Sequence, residues 1–160
     1  MVEELQQMHD RRCFKAIAVR ELARREKQRA MEGLMLVTQK RDGRVKARLV
    51  YNGKPTREWV SREDKSSPTA LTESIMLLAA IDAKESRDVM VMDIPNTFIQ
   101  THMPDKDDGE RVMMKIRGRL VDWLLEIDTH AYNSFVVMEK GEKVLYLHVI
   151  KAIYGMLEAS

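Results

Sequence analysis

Val89-Met-Val-Met92 is an unbroken apolar run that ends in a carboxylate, Asp93. Four apolar residues in succession read as a strand covered on both faces. A lone ionised carboxylate at the end of such a strand is costly to desolvate unless a cation or hydrogen-bond donors meet it. Asp93 therefore requires either a metal or backbone N–H groups.

Upstream, Leu34-Met-Leu-Val-Thr-Gln39 is strand-like and Arg41-Asp-Gly43 is a turn signal. The next segment, Arg44 to Tyr51, alternates charged and apolar side chains. The spacing predicts a hairpin. Strand periodicity of two places Arg44, Lys46 and Arg48 on one face and Val45, Ala47 and Leu49 on the other, so three cations point at solvent or at phosphate. Asn52-Gly-Lys-Pro55 is a second turn, and residues 61–67 read as a polar loop. Ser67 and Pro68 are suited to open a helix that carries Leu71, Ile75, Leu78 and Ala79 at helical spacing and ends near Ala83 to Glu85. A hairpin, then a helix, then a buried strand indicates an α+β fold, with antiparallel hairpins and helices packed on one face.

The remaining segments extend that pattern. Residues 1–33 are rich in helix formers with intermittent apolar positions, and they read as a helical lead-in of two segments, exposed and amphipathic, the second ending at Gly33. After Phe98-Ile-Gln-Thr101 comes a charged loop over residues 104–111, in which Asp105-Lys-Asp-Asp108 reads as solvated. Val112–Ile116 suggests a short strand and Leu120–Glu126 a helix. Phe135–Met138 and Val144–Val149 flank the turn Glu139-Lys-Gly-Glu142 as a further hairpin, and a helix is expected to begin near Ala152. Methionine is abundant, and Met90, Met92, Met113, Met114 and Met138 are expected to fill core at strand positions.

With 44% hydrophobic and 32% charged residues in 160, the chain can bury one modest core, and neither a disordered segment nor a membrane protein fits that balance. Met1-Val-Glu-Glu-Leu5 lacks the basic-then-apolar order of a secretory signal, so the expected compartment is intracellular, and no membrane partner is expected. Cys13 is the single cysteine, which excludes an intrachain disulfide, and His9, His102, His130 and His148 are scattered without ligand spacing. Charge is unevenly distributed. Residues 1–65 carry 17 Lys and Arg against 10 Asp and Glu, whereas residues 66–160 carry 10 against 15. The first part could attract phosphate and the second could host cations, although a solvated basic helix and loop give the same count.

Asp93-Ile94-x-x-x-Phe98 resembles the first catalytic motif of copia-type retrotransposon reverse transcriptases. Further matching words follow in the family's order along nearly the whole chain: Lys40-Arg-Asp-Gly43, Lys46-Ala-Arg-Leu-Val50, Ser67-Pro-Thr-Ala70 with Glu73-Ser-Ile75, Ile81-Asp-Ala83, and Ala152-Ile-Tyr-Gly155. The resemblance implies an RNA-directed DNA polymerase, a magnesium-dependent nucleotidyltransferase. Its partners would be an RNA or DNA template-primer and deoxynucleotides, and its compartment the cytoplasm, the nucleus or a virus-like particle. Residues 34–160 would form a partial reverse transcriptase domain, the fingers hairpin and the front half of the palm.

The resemblance also implies roles. Asp93 would be catalytic and would hold magnesium together with the backbone carbonyl of Ile94, as a hard cation with oxygen ligands requires. Phe98 would pack beneath the incoming sugar and exclude a 2′-hydroxyl; read without the family, it is a core aromatic. Ile94, Tyr154 and Gly155 would border the nucleotide, and Arg44, Lys46 and Arg48 would lean over template and nucleotide. Some positions depart from the family: Thr97 stands where a small Ala is usual, and Met156-Leu-Glu-Ala-Ser160 replaces Leu-Lys-Gln-Ala-Pro, which removes a lysine. The family's second carboxylate pair, a Tyr-x-Asp-Asp turn, has no counterpart in these residues, so the expected activity of this fragment alone is nil. A non-catalytic nucleic-acid-binding remnant and a non-functional relic of a retroelement remain the alternatives.

Overall fold

The computed structural model describes residues 1–55, 70–92, 97–103 and 111–156, with Phe98 described by its backbone only. The elements are α1 (Val2–Asp10), β1 (Phe14–Ala16), α2 (Arg24–Arg29), β2 (Met31–Gln39), β3 (Val45–Tyr51), α3 (Thr72–Lys84), β4 (Met113–Arg117), α4 (Arg119–Ile127), α5 (Thr129–Tyr132), β5 (Val137–Glu139) and β6 (Glu142–Val149). Short 3-10 turns cover Val19–Glu21, Phe98–Gln100 and Asn133–Phe135.

The strands form one mixed sheet in the order β1-β6-β4-β2-β3. Its pairs are antiparallel except β2 with β4, which run parallel through Met31 and Glu32. β6 is the centre: β4 lies along one edge, and β1 and β5 share the other, opposite residues 147–149 and 142–144 respectively. Val144, Leu145, Tyr146 and Leu147 are accordingly all buried, alternate residues serving opposite faces. Leu145, Leu147 and Val149 pack with Met114 and Ile116 of β4, Leu5 and Met8 of α1, and Val121 and Leu124 of α4. Val144, Tyr146 and Met113 form a smaller cluster on the other face with Ile17 and Ala30. Gly33 sits where β2 meets β4; a Cβ there would come within 2.8 Å of Ile116 and 2.9 Å of Met114.

The mixed α and β composition and both hairpins follow the sequence reading. The downstream hairpin turns at Lys140-Gly141, and the upstream one runs in register from Gly33 opposite Tyr51 to Gln39 opposite Val45. Other expectations are corrected. Helices cover both faces, because α2 lies on the side opposite α1 and α4, its Lys27 ammonium 5.5 Å from the Tyr146 ring centre. The amino-terminal segment is neither wholly helical nor an exposed lead-in: Phe14–Ala16 is a strand paired with β6, and Leu5 and Met8 are 0% and 1% exposed. Residues 152–156 turn rather than begin a helix, with Ala152, Ile153 and Met156 buried.

The largest correction concerns Val89–Met92. These residues form no strand, and they are exposed at 67, 80, 94 and 71%. A doubly covered strand needs a neighbour on each edge, and among the described residues no strand of the sheet lies beside them. Met90, Met92 and Met138 are therefore exposed, whereas Met113 and Met114 are core. Helix α3 forms as its composition demands, but it begins after Leu71; Ser67 and Pro68, like the 61–67 loop and Asp105–Asp108, lie outside the described residues. None of its side chains is buried, and Ile75, Met76, Leu77 and Leu78 are all more than half exposed.

Candidate nucleic-acid interface

The basic face of the upstream hairpin is built by its register. Leu34 is opposite Val50, Leu36 opposite Arg48 and Thr38 opposite Lys46, and directly opposed residues share a face. One side of the ribbon thus carries two cations beside two exposed leucines, 42% and 54% accessible. The other side turns inward through Leu49 and Tyr51, both buried.

The three cations have different surroundings. Arg44 is committed to the turn: its Nε and a terminal nitrogen donate to Asp42 at 2.8 and 2.6 Å, and its backbone N–H donates to the same carboxylate at 3.1 Å. These bonds hold the Asp42 carboxyl below its usual range. Arg48 places its guanidinium carbon 5.1 Å from the centre of the Tyr154 ring, a cation–π distance. Lys46, with Val45 and Ala47, borders a cavity of about 440 Å³ whose other walls are Met1, Glu3, Glu4 and Gln7 of α1. Carboxylates therefore stand near the one lysine of the basic face.

Tyr154 reaches Arg48 because the chain after β6 returns to the hairpin. The Tyr51 N–H donates to the Tyr154 carbonyl at 2.8 Å. Gly155 follows at φ 88°, and a Cβ there would run into the Tyr51 carbonyl oxygen and come within 2.7 Å of Val50. Only glycine accepts both that backbone conformation and that approach.

The stretch after Phe98 is anchored to the same returning chain. Ile99 is buried, the Ala152 N–H donates to Thr101 at 2.9 Å, the Met103 N–H donates to Ile150 at 2.8 Å, and His102 bridges to Lys151. The structure thus brings together Arg48, Tyr154 and Gly155, with Lys46 on the same ribbon face. Arg44 stands apart at the turn. Asp93 and Ile94 lie outside the described residues, as does the Phe98 side chain. Among the described residues no three His, Cys, Asp or Glu side chains converge as metal ligands. No helix among them is long and apolar enough to cross a membrane.

Leu34 and Leu36 were not singled out by sequence reasoning as part of this surface. The signal was present: the turn at Arg41-Asp-Gly43 fixes the register, and the register puts Leu36 across from Arg48. The acidic neighbours Glu3 and Glu4 had no such signal, since only tertiary packing of α1 brings them near β3. No family model, no curated protein and no solved structure matches the chain.

Proposed function

We propose that this chain is a fragment of an RNA-directed DNA polymerase of a copia-type retrotransposon, comprising its fingers hairpin and the front half of its palm. The observation that carries the reading is the ordered series of sequence words, two of which, the basic strand at Lys46–Val50 and the turn at Tyr154-Gly155, pack against each other through Arg48 and Tyr51. In this reading the ribbon face with Lys46 and Arg48 contacts a template-primer by phosphate attraction, Asp93 and the Ile94 carbonyl would hold magnesium, which would supply charge stabilisation for phosphoryl transfer, and Phe98 would serve to exclude a 2′-hydroxyl. The 160 residues supply one of the carboxylate positions that two-metal phosphoryl transfer requires, so the isolated polypeptide binds without polymerising.

The test pairs two measurements on the isolated polypeptide. Fluorescence anisotropy with a labelled template-primer should show binding that weakens steeply as salt rises, because neutralised phosphates release counterions. Primer extension with magnesium and deoxynucleotides should show no incorporation. Absence of binding at every ionic strength overturns the nucleic-acid reading; template-dependent incorporation that is lost in Asp93→Asn overturns the assignment as an inactive fragment.

A further inference from the structure

β2 has a strand on each side for only part of its length. Residues 33–39 pair with β3, whereas β4 meets β2 only at Met31 and Glu32. Among the described residues no strand lies against the other edge of residues 34–39, so the distal part of the hairpin is a two-stranded ribbon open on both sides. An open edge presents unpaired backbone N–H and C=O groups, which are a template for a further strand.

The open edges of this sheet are not guarded alike. Folded domains protect an edge by keeping it short or by placing charge or proline on it. β3 carries Lys46 and Arg48, and β1 and β5 are three-residue strands that include Lys15 and Glu139. The β2 edge has neither protection. No charged residue and no proline lies between Glu32 and Lys40, and Leu34, Leu36 and Val37 are exposed along that stretch. Leu34-Met-Leu-Val-Thr-Gln39 is therefore an uncharged segment of high strand propensity with one edge free to pair.

Charge and symmetry select the occupant. In an antiparallel pair of identical strands, a two-fold axis perpendicular to the sheet sets one residue opposite its own copy, and opposed residues share a face. For the open stretch 35–39 the central residue is Val37, so Val37 meets Val37 of the second copy, Leu36 meets its Thr38 and Met35 meets its Gln39. No like charges are opposed. The same operation at the middle of β3 would set cation against cation, Lys46 against Arg48. Pairing through β2 instead puts the two β3 strands outermost, three strand spacings or about 14 Å apart. That separation exceeds the Debye length of about 8 Å at physiological ionic strength, so repulsion between the two basic strands is largely screened.

We propose that the open edge of β2 pairs antiparallel with the same edge of a second copy of this chain, about a two-fold at Val37, to form a four-stranded sheet in the order β3-β2-β2-β3. One face of that sheet carries Lys46 and Arg48 of both copies on either side of an apolar strip of Leu34 and Leu36, because these four residues share a face of the ribbon. The inference rests on register and charge alone and stands apart from the polymerase reading.

Sedimentation equilibrium of the full chain tests this. The paired stretch is short, so a monomer–dimer equilibrium with a dissociation constant of about 10–100 µM is expected. Val37→Lys and Val37→Glu should each weaken it about tenfold or more, since like charges then stand directly opposite. An equimolar mixture of the two variants should restore dimer, because unlike charges now face each other. Val45→Lys is the control: Val45 is more exposed than Val37, 65% against 52%, but lies on β3, and its replacement should leave the dimer intact. Association through α3 is common to all these proteins and cancels in the comparison. A wild-type chain that is monomeric at about 1 mM overturns the proposal, as do open-ended oligomers in place of a dimer. Equal weakening by Val45→Lys, or a mixture that associates no better than either Val37 variant alone, overturns it too.

Discussion

Arg111 grips Glu26 with two parallel hydrogen bonds, Nε to Oε1 at 2.7 Å and a terminal nitrogen to Oε2 at 2.8 Å. The same terminal nitrogen also reaches the Glu21 carbonyl at 3.0 Å, and Glu26 accepts the Ala23 N–H at the start of α2 at 2.9 Å. One carboxylate therefore ties the short helix α2 both to its own first turn and to the entry of β4. Glu26 is 6% exposed, and the Arg111 bonds hold its carboxyl down at about 2.

That shift fixes a pH dependence. The unfolded carboxyl titrates near 4.3, so the unfolded chain takes up the proton first; the stabilisation is complete above that value and is lost as pH falls through about 2. The difference corresponds to about 3 kcal/mol at neutral pH. His148 adds an earlier step of the same sign, because burial, reinforced by the Arg111 charge, depresses its pKa and stability starts to fall below the ordinary histidine range. Glu26→Gln should flatten the acid limb of a stability-versus-pH curve measured by urea unfolding, leaving the histidine step in place. An unchanged acid limb would remove Glu26 from its control.

Gly155→Ala should be far more damaging than Gly43→Ala. Both glycines have positive φ, 88° and 80°, so both substitutions carry a conformational cost of about 1 kcal/mol. Nothing lies within 4 Å of a Cβ at Gly43, whereas at Gly155 the added carbon meets the Tyr51 carbonyl and Val50. The expected loss at Gly155 is about 3 kcal/mol or more, with the contact between Tyr154 and Arg48 disrupted. Denaturant midpoints of the two variants decide it.

Leu5→Ala tests whether the amino-terminal segment is core. Leu5 is fully buried among α4 and the sheet, and truncating such a leucine costs about 2–5 kcal/mol. An exposed lead-in would register less than about 0.5 kcal/mol in the same melt.

These elements show which parts of the fold the sequence reveals. The hairpins were legible because a turn signal between alternating runs determines register locally, and α4 because Leu120, Leu124 and Ile127 recur at helical spacing. Phe14–Ala16 was not, since three residues amid helix formers become a strand only by pairing with β6. Val89–Met92 failed for the converse reason: its composition suits a strand, but a strand exists only when a partner edge is supplied. In the candidate interface the cations and Tyr154 were visible as residue types, while the stacking of Arg48 on Tyr154 depends on the chain returning after β6. Asp93, the centre of the sequence argument, lies outside the described residues.

Helix α3 should tolerate charge on its apolar surface. Ile75 and Leu78 are 55% and 58% exposed, and none of the helix's side chains is buried. The double variant Ile75→Glu, Leu78→Lys should alter stability by less than about 0.5 kcal/mol while lowering light scattering at high concentration, because an exposed apolar patch drives association. A loss of several kcal/mol on urea unfolding would mean that these side chains are covered in solution.

The hairpin cations should contribute unequally to nucleic-acid binding. Each phosphate contact steepens the fall of log Kobs with log salt by about 0.7 to 0.9, depending on whether the strand is single or paired. Lys46 is exposed, and Lys46→Gln should reduce the slope by about 1. Arg48 presents the same charge from a guanidinium already oriented by the Tyr154 ring, so Arg48→Gln should reduce the slope equally. Arg44 differs, because Asp42 already neutralises it through paired hydrogen bonds at 2.6 and 2.8 Å, and Arg44→Gln should change the slope by less than half as much. Glu3 and Glu4 line the cavity beside Lys46, so Glu3→Gln, Glu4→Gln should strengthen binding at low salt and leave it unaffected at high salt, where exposed charges are screened. Salt titrations of a labelled template-primer against the wild type and these variants measure every slope in one experiment. Slopes unchanged from the wild type in all three cation variants would show that phosphate is held elsewhere on the chain.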